Sequence, residues 1–132
     1  MKFGYVSWIN ETEEVQKFVQ NLSSGKLTTT KCKKCGEIHL PPRLDCPHCN
    51  SSEMEWIEMS PEAELVTYTI IHFAPESMTK MAPYIVAIGE FENGKKLLAH
   101  LITTPSKLKI GMKMVLKPQE LEGDRITYKF VG

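Results

Sequence analysis

The sequence predicts a mainly β protein with one N-terminal helix, a short cysteine-bearing ribbon and a five-stranded barrel. Three observations carry that prediction. Apolar residues recur at helical spacing near the N-terminus, at Val15, Phe18, Val19 and Leu22. All four cysteines fall between Cys32 and Cys49. From residue 65 onward, β-branched and aromatic runs alternate with turn residues and no long helical period appears. Length sharpens the reading. One 132-residue domain would bury about two-thirds of its unfolded surface. Two modules would each have a marginal core, and the smaller would need a staple.

The helix comes first. Val15, Phe18, Val19 and Leu22 stand at i, i+3, i+4 and i+7, on one face. Asn10 and Glu13 have N-cap and N3 spacing. Ser23-Ser24-Gly25 supplies the stop, with Gly25 free to take positive φ. The stripe reads as core packing. The alternative is a docking helix with Phe18 as a partner contact, which the upstream aromatics Phe3, Tyr5 and Trp8 leave open.

The cysteines read Cys32-Lys33-Lys34-Cys35, ten intervening residues, then Cys46-Pro47-His48-Cys49. Two such knuckles suit tetrahedral zinc, with four thiolates at about 2.3 Å. Four protein ligands leave no open position for a substrate, so the metal is structural, contributing on the order of 10 kcal/mol to folding. Gly36 and Asn50 follow the knuckles and tolerate positive φ. Lys31, Lys33, Lys34 and Arg43 offset the net negative charge of a zinc–tetrathiolate. A rubredoxin-type iron, disulfides, or His39 or His48 in place of a cysteine are the alternatives.

Residues 51–64 carry five glutamates with Ser51, Ser52, Ser60 and Pro61, and read as a junction whose packed part is Trp56 and Ile57. Strands are then expected over 65–73, 83–91, 95–102, 112–117 and 124–130. Asn93-Gly94 signals a hairpin with a type I′ turn. Glu122-Gly123 joins the last two strands, and 104–109 reads as a short turn or 3₁₀ segment. Five strands in about 70 residues fit an OB-fold better than a sandwich of about seven. The expected division is 1–27 helical segment, 28–60 zinc ribbon, 61–132 OB-fold.

Composition narrows the function. Sixteen basic residues balance sixteen acidic ones, which argues against a bulk polyanion as partner. The zero is a regional sum: −1 over residues 1–25, +3 over 26–50, −5 over 51–64 and +3 over 65–132. These patches leave room for a few phosphates. No run approaches about 18 apolar residues, so no transmembrane span is expected. Residues 1–10 lack a basic region followed by an apolar core, so no signal peptide is expected. Clustered cysteines without such a signal point to a reducing compartment, the cytoplasm. His72 and His100 are lone histidines, and no nucleophile elbow, P-loop or Rossmann glycine pattern appears, so catalysis by this chain is not expected.

Several runs together resemble a known family. They are Leu22-Ser23-Ser24-Gly25-Lys26-Leu27, Cys32-Lys33-Lys34-Cys35-Gly36, Leu40-Pro41-Pro42-Arg43, Cys46-Pro47-His48-Cys49 and Glu55-Trp56. In the barrel they are Tyr68-Thr69, Pro83-Tyr84-Ile85-Val86-Ala87, Asn93-Gly94 and Ile110-Gly111-Met112. The chain resembles the proteins with a rubredoxin-like zinc ribbon followed by an OB-fold, formerly domain of unknown function 35. It departs from them at Ser60-Pro61-Glu62-Ala63-Glu64, where the family often has a Gly-rich turn. The resemblance implies a non-catalytic scaffold in acyl-CoA metabolism. Such a protein associates with thiolases and, in archaea, hydroxymethylglutaryl-CoA synthase, and helps bind the CoA thioester.

A CoA ligand needs cationic donors at one end and an apolar channel at the other. Arg43, Lys107 and Lys109 are the candidate phosphate contacts; the ribbon lysines Lys31, Lys33 and Lys34 stand behind them. Met78 and Met81, in the 74–82 loop, are candidate partner or acyl contacts. Tyr68, Tyr84 and Phe91 read as strand packing, or as stacking residues in the alternative function, a single-stranded nucleic-acid-binding module. An electron carrier is the third reading.

Overall fold

The first strand, β1 (Lys2–Phe3), is followed by the helix α1 (Glu13–Ser23) in a computed structural model that describes residues 2–5 and 12–132. Asn10 lies outside the described residues. The N-cap is Thr12, whose Oγ1 accepts from the Val15 N–H at 3.3 Å, so the cap falls two residues later than the Asn10–Glu13 spacing predicts. Glu13 and Glu14 sit in the first turn, where the helix dipole favours them. The stop is a Schellman motif: Gly25, at φ 84°, donates to the Leu22 carbonyl, and Lys26 donates to that of Asn21.

The ribbon is a three-stranded antiparallel sheet of β2 (Thr28–Cys32), β3 (Ile38–His39) and β4 (Met54–Glu58), with β2 central. Thr30 pairs with His39 on one side and Trp56 on the other. The acidic stretch therefore does not form a long junction. Three of its glutamates border or lie in β4, two begin the next strand, and only Met59, Ser60 and Pro61 connect them. Alternation hid this, because β4 is half-exposed and its outward positions are charged.

The barrel consists of β5 (Glu62–Ile71), β6 (Tyr84–Phe91), β7 (Lys96–Ile102), β8 (Lys113–Leu121) and β9 (Arg125–Val131). The pairing β5–β6–β7–β9–β8–β5 closes the sheet, with β7 and β9 parallel and the other pairs antiparallel. This is the five-stranded Greek-key connectivity of an OB-fold. β1 adds to β9 in parallel. Two strands are longer than expected. β5 starts at Glu62 because Ala63 and Leu65 both point into the core. β8 runs past Pro118 to Leu121 because its partner β9 lies on the other edge from the missing N–H.

The Asn93-Gly94 hairpin has a different turn from the expected type I′. Gly94 takes φ 80° and Asn93 stays at negative φ. Gly94 donates to the Phe91 carbonyl and Phe91 donates to that of Lys95, giving a three-residue loop that ends on a left-handed glycine. Between strands β7 and β8, Pro105–Lys107 forms a 3₁₀ turn, as expected.

The barrel core gathers Ala63, Leu65, Ala87, Phe91, Leu97, Leu101, Met114, Leu116 and Phe130, and Leu27 and Met59 join it from the ribbon side. Gly89 is required there: a Cβ at this position would stand 2.6 Å from the Phe130 ring. A second cluster fastens α1 to the barrel through Phe18, Val19, Leu22 and Ile126, with Phe3, Val15, Trp56 and Tyr128 around it. The helical stripe is thus core. Ribbon and barrel are also tied by Lys95, whose ammonium donates to the Glu37 carboxylate at 2.6 Å. Among the described residues no helix is long and apolar enough to cross a membrane.

Candidate metal centre and ligand grooves

The two knuckles are built alike. Cys32 donates its N–H to the Glu37 carbonyl and its own carbonyl accepts from Gly36. Cys46 and its carbonyl do the same with Ser51 and Asn50. The residues that close these turns, Gly36 at φ 78° and Asn50 at φ 60°, are the two singled out from the sequence. The four sulfurs consequently converge. All lie within 4.8 Å of one another, with Cys32–Cys49 and Cys35–Cys46 at 3.5 Å. These separations exclude disulfides, whose S–S bond is about 2.05 Å. They fit a tetrahedral tetrathiolate, whose sulfur edges are set by bonds of about 2.3 Å.

The donor chemistry fits a cation too. The backbone N–H groups of Cys35 and Lys34 aim at Cys32 and pull its thiol down to about 6. Cys35 receives the Glu37 N–H, yet desolvation and the three other thiols push it up to about 12. Four thiols this close cannot all ionise without a positive charge among them. Cys32, Cys35, Cys46 and Cys49 would hold the zinc, which cross-links the knuckles and cancels half of their charge.

The loop between the knuckles is held by a residue with no sequence signature. Thr30, fully buried in β2, donates through Oγ1 to the Arg43 carbonyl and accepts from the Arg43 N–H, both at 2.8 Å. Thr29 likewise donates to the His39 carbonyl. These bonds press residues 39–43 onto the ribbon and leave the Arg43 side chain exposed.

Two grooves meet at Pro41 and Pro42. One, of about 490 Å³, is lined by Glu37, His39, Arg43 and Lys95 among others. The His39 Nε2 is buried there without a hydrogen-bond partner among the described residues. The other, of about 200 Å³, is apolar, lined by Val15, Phe18, Leu44, Trp56 and Tyr128 with Phe3 and Glu14. The sequence-named residues separate accordingly. Arg43 lies in the first groove, and Lys107 and Lys109 lie on the β7–β8 connection. Phe18 is 7% exposed and lines the apolar groove. Met78 and Met81 are half-buried on the barrel. The Tyr84 hydroxyl donates to the Met78 sulfur at 3.9 Å, and Met81 lines a small groove beside Tyr84 and His100. Phe91 is core, 6.0 Å from Phe130, whereas Tyr68 is 38% exposed.

His100 is sandwiched between Tyr84, at 4.6 Å, and Tyr5, at 5.2 Å, with the Tyr5 hydroxyl 3.1 Å from Nδ1. Burial holds this imidazole below its ordinary value. It docks Tyr5 of the N-terminal segment onto the barrel.

These features define a zinc-ribbon protein with an OB-fold barrel and a closed four-cysteine metal centre. Residues 20–55 match the family described as the rubredoxin-like zinc ribbon domain of ChsH2, and residues 56–117 match the C-terminal OB-fold domain of ChsH2. The chain belongs to this family. A DUF35 domain-containing scaffold protein of Methanocaldococcus jannaschii is 34% identical over 110 residues, covering 79% of this chain and 78% of the relative. The benzoylsuccinyl-CoA thiolase subunit BbsA of Thauera aromatica is 24% identical over 105 residues, covering 76% of this chain and 72% of that one. Among solved structures, a chain of the Ltp2-ChsH2(DUF35) aldolase superposes with a TM-score of 0.76 at 26% identity, covering 94% of this chain and 98% of that one.

Proposed function

We propose that this chain is a non-catalytic, acyl-CoA-binding scaffold subunit of a thiolase-type enzyme. The single observation that carries the ligand reading is the meeting, at Pro41-Pro42, of a polar groove that bears the exposed Arg43 side chain with an apolar groove. A CoA thioester has that polarity, with phosphates at one end and an acyl group at the other. The exposed guanidinium of Arg43 serves the phosphates, and Phe18, Leu44 and Trp56 serve the apolar end. The zinc, saturated by four thiolates, supplies structure and no reactive position. Bond-making is left to the partner enzyme. The names of relatives support this partner class, since one is a thiolase subunit and another is paired in an aldolase.

Titration calorimetry of the protein and of its native complex with acetyl-CoA and acetoacetyl-CoA tests the ligand reading. Binding that weakens about tenfold or more in Arg43→Ala is expected, as for loss of a charged hydrogen bond. No heat with either thioester, alone or in the complex, overturns it.

A further inference from the structure

The barrel closes only part of β5. Residues 62–64 pair with β8, and Leu65 exchanges bonds with Met112 and Gly111. A bulge between Leu65 and Thr67 then turns the strand away from β8. Residues 67–71 pair with β6 on one edge, and no backbone bond to a second strand is found on the other among the described residues. An open edge is a template for another strand, so natural sheets guard it with charge or proline. Two other open edges obey this. β4 carries Glu55 and Glu58, and the free part of β8 holds Lys117, Pro118 and Glu120. The β5 edge reads Thr-Tyr-Thr-Ile-Ile, with neither charge nor proline.

Among the described residues, four of the seven large apolar side chains that stand exposed lie on or beside this edge: Tyr68, Ile70, Phe73 and Ile110. Phe73 is 99% exposed. Ile110 is brought alongside by the Gly111–Leu65 bond. Lys107 and Lys109 precede it in the same connection, and the loop beyond β5 adds Lys80 against Glu76. The lysines beside the edge favour a strand with acidic flanks, which neutralises them.

We infer that residues 67–71 take up an extended segment of the partner enzyme, with apolar side chains at alternate positions and acidic residues at its flanks. Backbone bonds to the edge give affinity, and contacts with Tyr68, Ile70 and Phe73 give register. The inference rests on the scaffold reading for the identity of the partner but not for the use of the edge.

The test compares amide exchange in the zinc-loaded full chain, alone and in the complex purified from its native host. Amides within 67–71 are expected to slow by about tenfold or more in the complex. Ile70→Lys, which places a charge on the exposed edge, is expected to weaken association by about tenfold or more. Leu98→Lys, on the outer sheet face, is expected to leave it unchanged. Unaltered exchange at 67–71 with protection elsewhere overturns the inference and leaves the scaffold reading standing. Protection at 67–71 by an enzyme of another class does the reverse. A self-associating chain whose dimer is lost in Ile70→Lys assigns the edge to a second copy and overturns the occupant. Isolation of the chain with no partner overturns both readings.

Discussion

The ribbon and the barrel reach order by different means. The barrel buries Leu65, Phe91, Met114, Leu116 and Phe130 in one cluster, so its stability comes from apolar area. The ribbon's fully buried side chains are Thr29, Thr30, Cys32 and Cys46, small or polar groups that bury little such area. It is held by sulfurs and by hydrogen bonds to its own loop. The lesson is that the ribbon is the conditional part of the molecule, dependent on its metal, and it carries the grooves. The barrel is the unconditional part, and it carries the open edge.

The strongest way to break this contrast is to remove the metal. Chelation, or Cys46→Ser, is expected to cost the ribbon on the order of 10 kcal/mol and to unfold residues 28–58. Amide exchange should then rise throughout β2 and β4 and stay slow in β6 and β7. Simultaneous loss of protection in both modules would refute the distinction. Phe130→Ala does the opposite. It opens a cavity in the barrel at a cost of about 3–5 kcal/mol, read as a lower Tm with zinc content unchanged. Gly89→Ala overfills the same place and is expected to cost about 1–3 kcal/mol, which combination with Phe130→Leu should partly relieve. Thr30→Val keeps the strand but strands the Arg43 N–H and carbonyl. It is expected to cost about 1–3 kcal/mol and to loosen residues 41–45 in exchange measurements.

The smallest effect tests the tie between the modules. The Lys95 ammonium, by its hydrogen bond first and its charge second, holds the Glu37 carboxyl below its ordinary 4.5. The pair's contribution is therefore present in full above pH 4.5 and lost as pH falls through the lower folded value. Lys95→Met should differ little from the wild type in Tm at neutral pH, as exposed pairs contribute little, and the difference should vanish on acidification. A difference that grows in acid would contradict the assignment.

How much was legible beforehand follows the same divide. The convergence of the four cysteines could be read, because two knuckles with Gly36 and Asn50 behind them encode their own geometry locally. The strands of the barrel were legible from their composition, and the helix from its period. The missed features are those decided by partners distant in sequence. Thr12 is the cap, two residues beyond the position that the Asn10–Glu13 spacing suggests. β4 was obscured because its outward face is acidic. The clamp of Thr30 on Arg43, the stacking of Tyr5 on His100 and the open edge beyond the β5 bulge leave no local pattern. Arg43 could be named as a candidate, but its separation from Lys107 and Lys109 required the barrel to be folded between them.

The most direct test of the scaffold reading is the composition of the complex purified from the native host, determined by mass spectrometry together with metal analysis. The prediction is one zinc and no iron per chain, with a thiolase-class enzyme in fixed proportion to it. A chain that purifies alone, or with iron in the four-cysteine site, would contradict it.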